Sequence, residues 1–202
     1  MLPTVYQRWV AVTALTYVVC HHLGLLPGGL GAAPDQTQWA DWLDLLVPFL
    51  VMGPAAVALS LAPATRRTWV VFGIGAVTYA TGHGVHLAAN SVGNAAPGPT
   101  EHLWDEVVGH EIWYAGVALV VVALALTMPG RPGPGWVGYL LALGVGATWA
   151  SNAVGGGTVL LSLVAALGFA VWGWLHRTDL GVTLLVAFAP AAVFLAGALT
   201  VG

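Results

Sequence analysis

Seven apolar stretches, broken by proline, glycine and charge, dominate this sequence; they cover residues 5–26, 42–62, 68–90, 102–128, 135–153, 157–176 and 180–201. Each has about the 20 residues that an α-helix needs to cross a hydrocarbon core of roughly 30 Å at about 1.5 Å per residue. Only 6% of the chain is charged and 58% is hydrophobic, whereas a soluble domain carries about 25% charged residues. So little charge cannot coat a surface that faces water. The expected fold is therefore an all-α integral membrane protein. It is read as one polytopic domain over residues 1–202, a bundle of about seven transmembrane helices.

The breaks have clear chemical causes. Pro27-Gly28-Gly29 ends the first stretch, and Pro63 with Arg66-Arg67 separates the second from the third. Segments 94–99, 129–134 and 177–179 part the remainder, and Gly155-Gly156-Gly157 reads as a turn between helices. Pro48, Pro54 and Pro190 fall inside spans, where they are expected to kink the helices. Residues 35–44, with Trp39 and Trp42, read as a short interfacial helix leading into the second span. The first stretch also resembles a signal peptide, with Arg8 ahead of it and Gly31-Ala32-Ala33 as a cleavage site. Its length and its terminal His21-His22 favour a retained span.

Threading seven spans puts Arg8, Arg66, Arg67, Arg131 and Arg177 on one side, which by the positive-inside rule is the cytoplasm. The N-terminus is then cytoplasmic and the C-terminus extracytoplasmic, in a membrane read as a bacterial plasma membrane. Asp35, Asp41, Asp44, Glu101, Asp105, Glu106 and Glu111 fall on the outer half, and Asp179 falls inside.

The chemistry-bearing residues gather at that outer half. His83, His86 and Asn90 share one helical face by their spacing, and His102, Glu106 and His110 form a second stripe, with Asp105 at its edge. Counted from the inner boundary, His21, His22, His83, His86, His110, Glu106, Asp44 and Asn152 stand about 20–33 Å up. Ionisable groups at that depth are costly unless paired or bound. Imidazoles with one or two carboxylates suit a transition metal: iron, zinc, copper or manganese, whose identity stays open. The expected ligands are His83, His86 and His110, with His22 and His102 as further candidates. Glu106 or Asp105 is expected as a ligand or general base. Asp44, Asn90, Asn152, His21 and Glu111 are expected around the site, with Trp113, Tyr114 and Trp149 lining a pocket.

Simpler readings stand beside these. Acids at the start of a helix complement its dipole, which accounts for Glu101. His102 reads equally as solvated, and His176 as a helix-end residue beside Arg177. The set of His83, His86, Glu106 and His110 reads alternatively as a proton-sharing network. The other tryptophans form an interfacial belt.

Several functions are excluded. The chain has no lysine, so neither a Schiff-base pigment nor a Walker lysine is available. Cys20 is the single cysteine, which rules out an internal disulfide or a multi-thiolate metal site. A net charge of −3 argues against nucleic-acid binding. The seven-span plan with histidines resembles the CREST group of membrane hydrolases. That group carries a histidine pair in its last span, and residues 182–201 hold none. The spacing from His86 to Asn90 is similar to part of the rhomboid and CAAX-type membrane proteases, but their GxSG and EExxxR motifs are missing. No family follows from these resemblances.

The leading expectation is a metal-dependent membrane enzyme. It would act on a lipid-like or apolar molecule, with oxidation somewhat favoured over hydrolysis. The alternatives are a haem-binding electron-transfer protein, with two facing histidines as axial ligands, and a proton- or metal-coupled transporter.

Overall fold

The computed structural model describes residues 3–23, 26–33 and 37–201. Asp35 and the segment 24–25 of the first stretch lie outside the described residues. The described chain is helical throughout, apart from turns and one isolated bridge between Ala32 and Gln38.

Helix α1 (Val5–Cys20) starts at a capping box, in which the Thr4 hydroxyl accepts from the Gln7 amide while the Gln7 side chain accepts from the Thr4 amide. A short 3-10 turn (Pro27–Leu30) leads to α2 (Trp39–Asp44) and α3 (Val47–Ser60). Asp41 caps α2 by accepting from the Gln38 amide at 2.9 Å. Trp39 and Trp42 are both 51% exposed on this short helix, which runs nearly into α3. Pro48 occupies the first turn of α3, where no helical bond needs its missing N–H; Pro54 and Pro190 lie within helices as expected. The break at 45–46 precedes Pro48, so that proline begins a helix and does not kink one.

Helix α4 (Arg66–Ala95) is capped by Thr65 and is the longest element. Next come α5 (Pro99–His102), a π-helical segment (Leu103–Gly109) and α6 (His110–Ala125), which form one continuous rod. Helices α7 (Trp136–Gly155), α8 (Val159–Leu175) and α9 (Val182–Val201) complete the chain.

Each apolar stretch of the sequence thus becomes helix. Four of these helices are long and apolar enough to cross a membrane: Trp39–Ser60, Pro99–Ala125, Trp136–Gly155 and Val182–Thr200. Of the other three, α1 and α8 have 16 and 17 residues, and α4 dilutes its apolar surface with threonine, histidine and asparagine. Large apolar side chains cover the outside, among them Val193 (75% exposed), Trp136 (74%) and Val77 (69%). Such a surface is compatible with lipid contact and is far larger than a water-soluble monomer tolerates.

Backbones approach closely wherever a glycine omits its side chain, a packing mode typical of helices in lipid. A Cβ on Gly116 would strike the backbone of Tyr79, and one on Gly82 would strike that of Trp113. A Cβ on Gly109 would stand 2.9 Å from the His86 nitrogen. This ladder of contacts locks α4 against α6 and sets His86 level with the start of α6. On the other side, Gly146 presses on Ala187 and Gly173 on Leu185, joining α7 and α8 to α9.

Candidate metal centre

The α4–α6 seam ends where the rod containing α6 changes its winding. Residues 103–109 are π-helical, a form that closes i→i+5 bonds and often marks functional sites. Gly109 makes this winding possible, because a Cβ there would lie 2.7 Å from the carbonyl oxygen of Trp104, five residues back. With α-helical spacing Glu106 aligns with His110 and Asp105 falls at the edge. The π winding changes that register. Asp105 is 5% exposed and points into the bundle, and its backbone carbonyl accepts from His110 Nδ1 at 2.8 Å, five residues apart. The Glu106 side chain is 41% exposed, with Oε2 3.9 Å from His110 Nδ1.

His86, Asp105 and His110 come together as a group. Their ligand atoms all lie within 4.8 Å of one another, and the three are placed so that they can hold a metal ion. Because a carbonyl only accepts, His110 Nδ1 carries the proton, which leaves Nε2 as the nitrogen with a lone pair. Fixing a histidine ligand through its other nitrogen is the usual arrangement around a metal. His86 Nδ1 and Asp105 Oδ1 approach to 2.5 Å, and both are buried without a hydrogen-bond partner. At this separation the two atoms form a short ion pair, and a cation holding each ligand at about 2.0–2.2 Å would need them to part to about 3 Å.

One indole borders this group. The Trp113 ring centroid lies 5.3 Å from that of His110, 5.6 Å from His86, 4.9 Å from His83 and 5.4 Å from His21. The next residue, Tyr114, points away and donates its hydroxyl to the Trp149 carbonyl at 3.0 Å, while Trp149 Nε1 donates to the Ser162 carbonyl at 3.1 Å.

The remaining sequence candidates surround the triad without joining it at ligand distance. His83 Nε2 donates to the Asp44 carbonyl at 2.9 Å and lies 3.5 Å from its carboxylate, which leaves His83 Nδ1 buried and unpartnered. His21 has both ring nitrogens engaged: Nδ1 donates to the Tyr17 carbonyl at 2.9 Å, and Nε2 accepts from the Tyr79 hydroxyl at 2.8 Å. His22 Nε2 lies 3.3 Å from the Thr148 hydroxyl, and its Nδ1 is buried without a partner. Asn90 and Asn152 are half-buried beside this layer. His102, Glu106 and Glu111 line an open cleft of 440 Å³ together with Val107, Val154, Gly155 and Gly157.

Sequence reasoning missed two contributors. Tyr79 precedes His83 by one helical turn on the same face, a spacing that could have revealed it. Gly156, read only as part of a turn, lies against the His110 ring, and a Cβ there would stand 2.7 Å from Nε2. No local signal marks that contact, because the turn reaches His110 only through the packing of α7 and α8. No protein-family model matches this chain, and no curated protein or solved structure matches it at a significant level, so its function is read from these residues alone.

Proposed function

We propose that this chain is a multi-pass membrane protein of about seven spans, with a cytoplasmic N-terminus and an extracytoplasmic C-terminus in a bacterial plasma membrane. We propose further that it is a metal-dependent enzyme whose site lies near the extracytoplasmic face and acts on a lipid-like or apolar substrate. The topology is supported by the separation of charge. Arg8, Arg66, Arg67, Arg131 and Arg177 lie at the helix ends opposite six of the seven histidines, with His176 beside Arg177, which matches the positive-inside rule.

One observation carries the enzymatic reading: His86, Asp105 and His110 bring their ligand atoms within 4.8 Å of one another. Two imidazoles and one carboxylate form the donor set of non-haem iron(II) oxygenases, and the same set occurs with zinc in hydrolases. Iron is the reading preferred here, and with it oxidation. A metal so held supplies redox or Lewis-acid chemistry. The chain's own contribution is positional. The Asp105 carbonyl orients His110, Trp113 shields the imidazoles, and Glu106 offers a carboxylate in the open cleft as proton acceptor. The haem alternative is disfavoured by packing, since the His86 and His110 ring centroids are 4.4 Å apart and leave no slot for a macrocycle.

Elemental analysis of the purified protein tests this reading. Near-stoichiometric transition metal is expected. His86→Ala, Asp105→Ala and His110→Ala should strip it, His83→Ala should weaken it less, and His176→Ala should leave it unchanged. Full metal content in Asp105→Ala, or equal loss in His176→Ala, would refute the site. The metal found also separates oxidation from hydrolysis.

A further inference from the structure

A cavity of 560 Å³ lies at the arginine end of the molecule, between the N-terminal halves of α1 and α7, with α6 and α9 behind it. Helices α1 and α7 touch at Val18 and Gly144, where a Cβ on the glycine would stand 3.2 Å from Val18 Cγ2. Towards their N-termini they flank the open cavity. Ala11, Ala14, Val120 and Leu184 are among its walls, and Tyr17 and Trp149 are among its aromatic lining. At its mouth Gln7 Nε2 donates to the Pro132 carbonyl at 2.8 Å, tying α1 to the loop before α7. Arg8 also borders the cavity. It is exposed, with no ion pair or side-chain hydrogen bond among the described residues.

The cavity opens to the outside of the bundle and its walls are mainly apolar. Water is a poor occupant of such a cleft, because each molecule needs two to four polar partners. Hydrocarbon satisfies these walls. The unpaired guanidinium at the mouth adds a preference for negative charge, and the arginine end is the one expected to face the anionic cytoplasmic leaflet. We propose that this cavity binds one acyl chain of an anionic phospholipid, with the tail running towards Tyr17 and Trp149 and the headgroup phosphate at Arg8. This site rests on the membrane-spanning reading and is independent of any metal.

Trp149 reports on it, being 1% exposed and part of the cavity lining. The full chain is reconstituted in vesicles containing phosphatidylglycerol or phosphatidylcholine with brominated acyl chains, and the Trp149 emission is isolated by difference from Trp149→Phe. Brominated phosphatidylglycerol should quench that emission at a several-fold lower mole fraction than brominated phosphatidylcholine. Arg8→Gln should remove the difference. Ala14→Phe, which fills the cavity, should abolish the quenching, and Ala11→Phe provides a second filled variant should the first fail to fold. No quenching of Trp149, equal quenching by both lipids, or undiminished quenching in a folded filled variant would overturn the proposal. Chelator-treated protein should behave identically, so failure here is distinct from failure of the metal site.

Discussion

The two ends of this bundle treat their polar groups in opposite ways. At the arginine end, Tyr6 donates to the Thr127 hydroxyl at 2.8 Å, and that hydroxyl donates on to the Leu124 carbonyl. Arg131 donates to the Thr127 carbonyl at 2.8 Å and lies 3.6 Å over the Tyr6 ring. Asp179 accepts from the amides of Gly130 and Gly181, both at 2.9 Å. At the histidine end, His22 Nδ1, His83 Nδ1, His86 Nδ1 and Asp105 Oδ1 are buried without hydrogen-bond partners, and among the described residues only Trp172 Nε1 shares that condition elsewhere. A buried unsatisfied polar atom costs about 1–3 kcal/mol. One end therefore spends its polar groups on holding the chain together, while the other leaves imidazole and carboxylate atoms outside hydrogen bonds.

The sharpest way to break this contrast is to remove a ligand. Asp105→Ala or His110→Ala should weaken metal binding by at least about a hundredfold, the upper end of what loss of an outer-shell partner alone causes. Titration of the apoprotein with iron(II) or zinc measures it. The next effect falls on the seam that aligns the two ends. Gly82→Ala forces a Cβ into the Trp113 backbone, which cannot swing aside. It should cost about 3 kcal/mol, the upper part of the overpacking range, read as a fall in Tm. Gly156→Ala should displace the His110 ring and weaken metal binding about tenfold, the lower end of the effect of lost ligand support. Gly155→Ala, which has open space around its Cβ, should leave binding unchanged. The smallest effect tests the other end. Tyr6→Phe should lower stability by about 1 kcal/mol through its lost hydrogen bond, with metal content untouched. A change in metal content in Tyr6→Phe would mean that the two ends are not separate in function.

These expectations differ in how far each could be read from the chain. The spacing of His83 and His86 on one face, and the placing of most histidines at one end, follow from helical periodicity and from where the apolar runs stop. His102 is exposed near a helix start. The choice between Asp105 and Glu106 could not be read, because adjacent residues exchange faces when the winding passes from α to π. The role of Gly156 was hidden for a different reason, since it meets His110 through the side chain it lacks. Asp44 stands near His83 as expected, but meets it through its backbone carbonyl as well as its carboxylate. No motif selects a residue by its carbonyl or by an absent side chain.

The amino-acid sequence alone determines that this chain is a helical bundle with an apolar exterior, because long uncharged runs satisfy their own backbone hydrogen bonds only as helices. It also determines which end carries the imidazoles. Tertiary structure decides which of them meet. The glycine ladder between α4 and α6 sets the height of His86, the π segment turns Asp105 inward to face it, and the turn after α7 closes on His110. Those outcomes depend on contacts between residues far apart in the chain, and on a local winding that Gly109 permits by leaving room for the Trp104 carbonyl. Periodicity within a single helix carries no information about either.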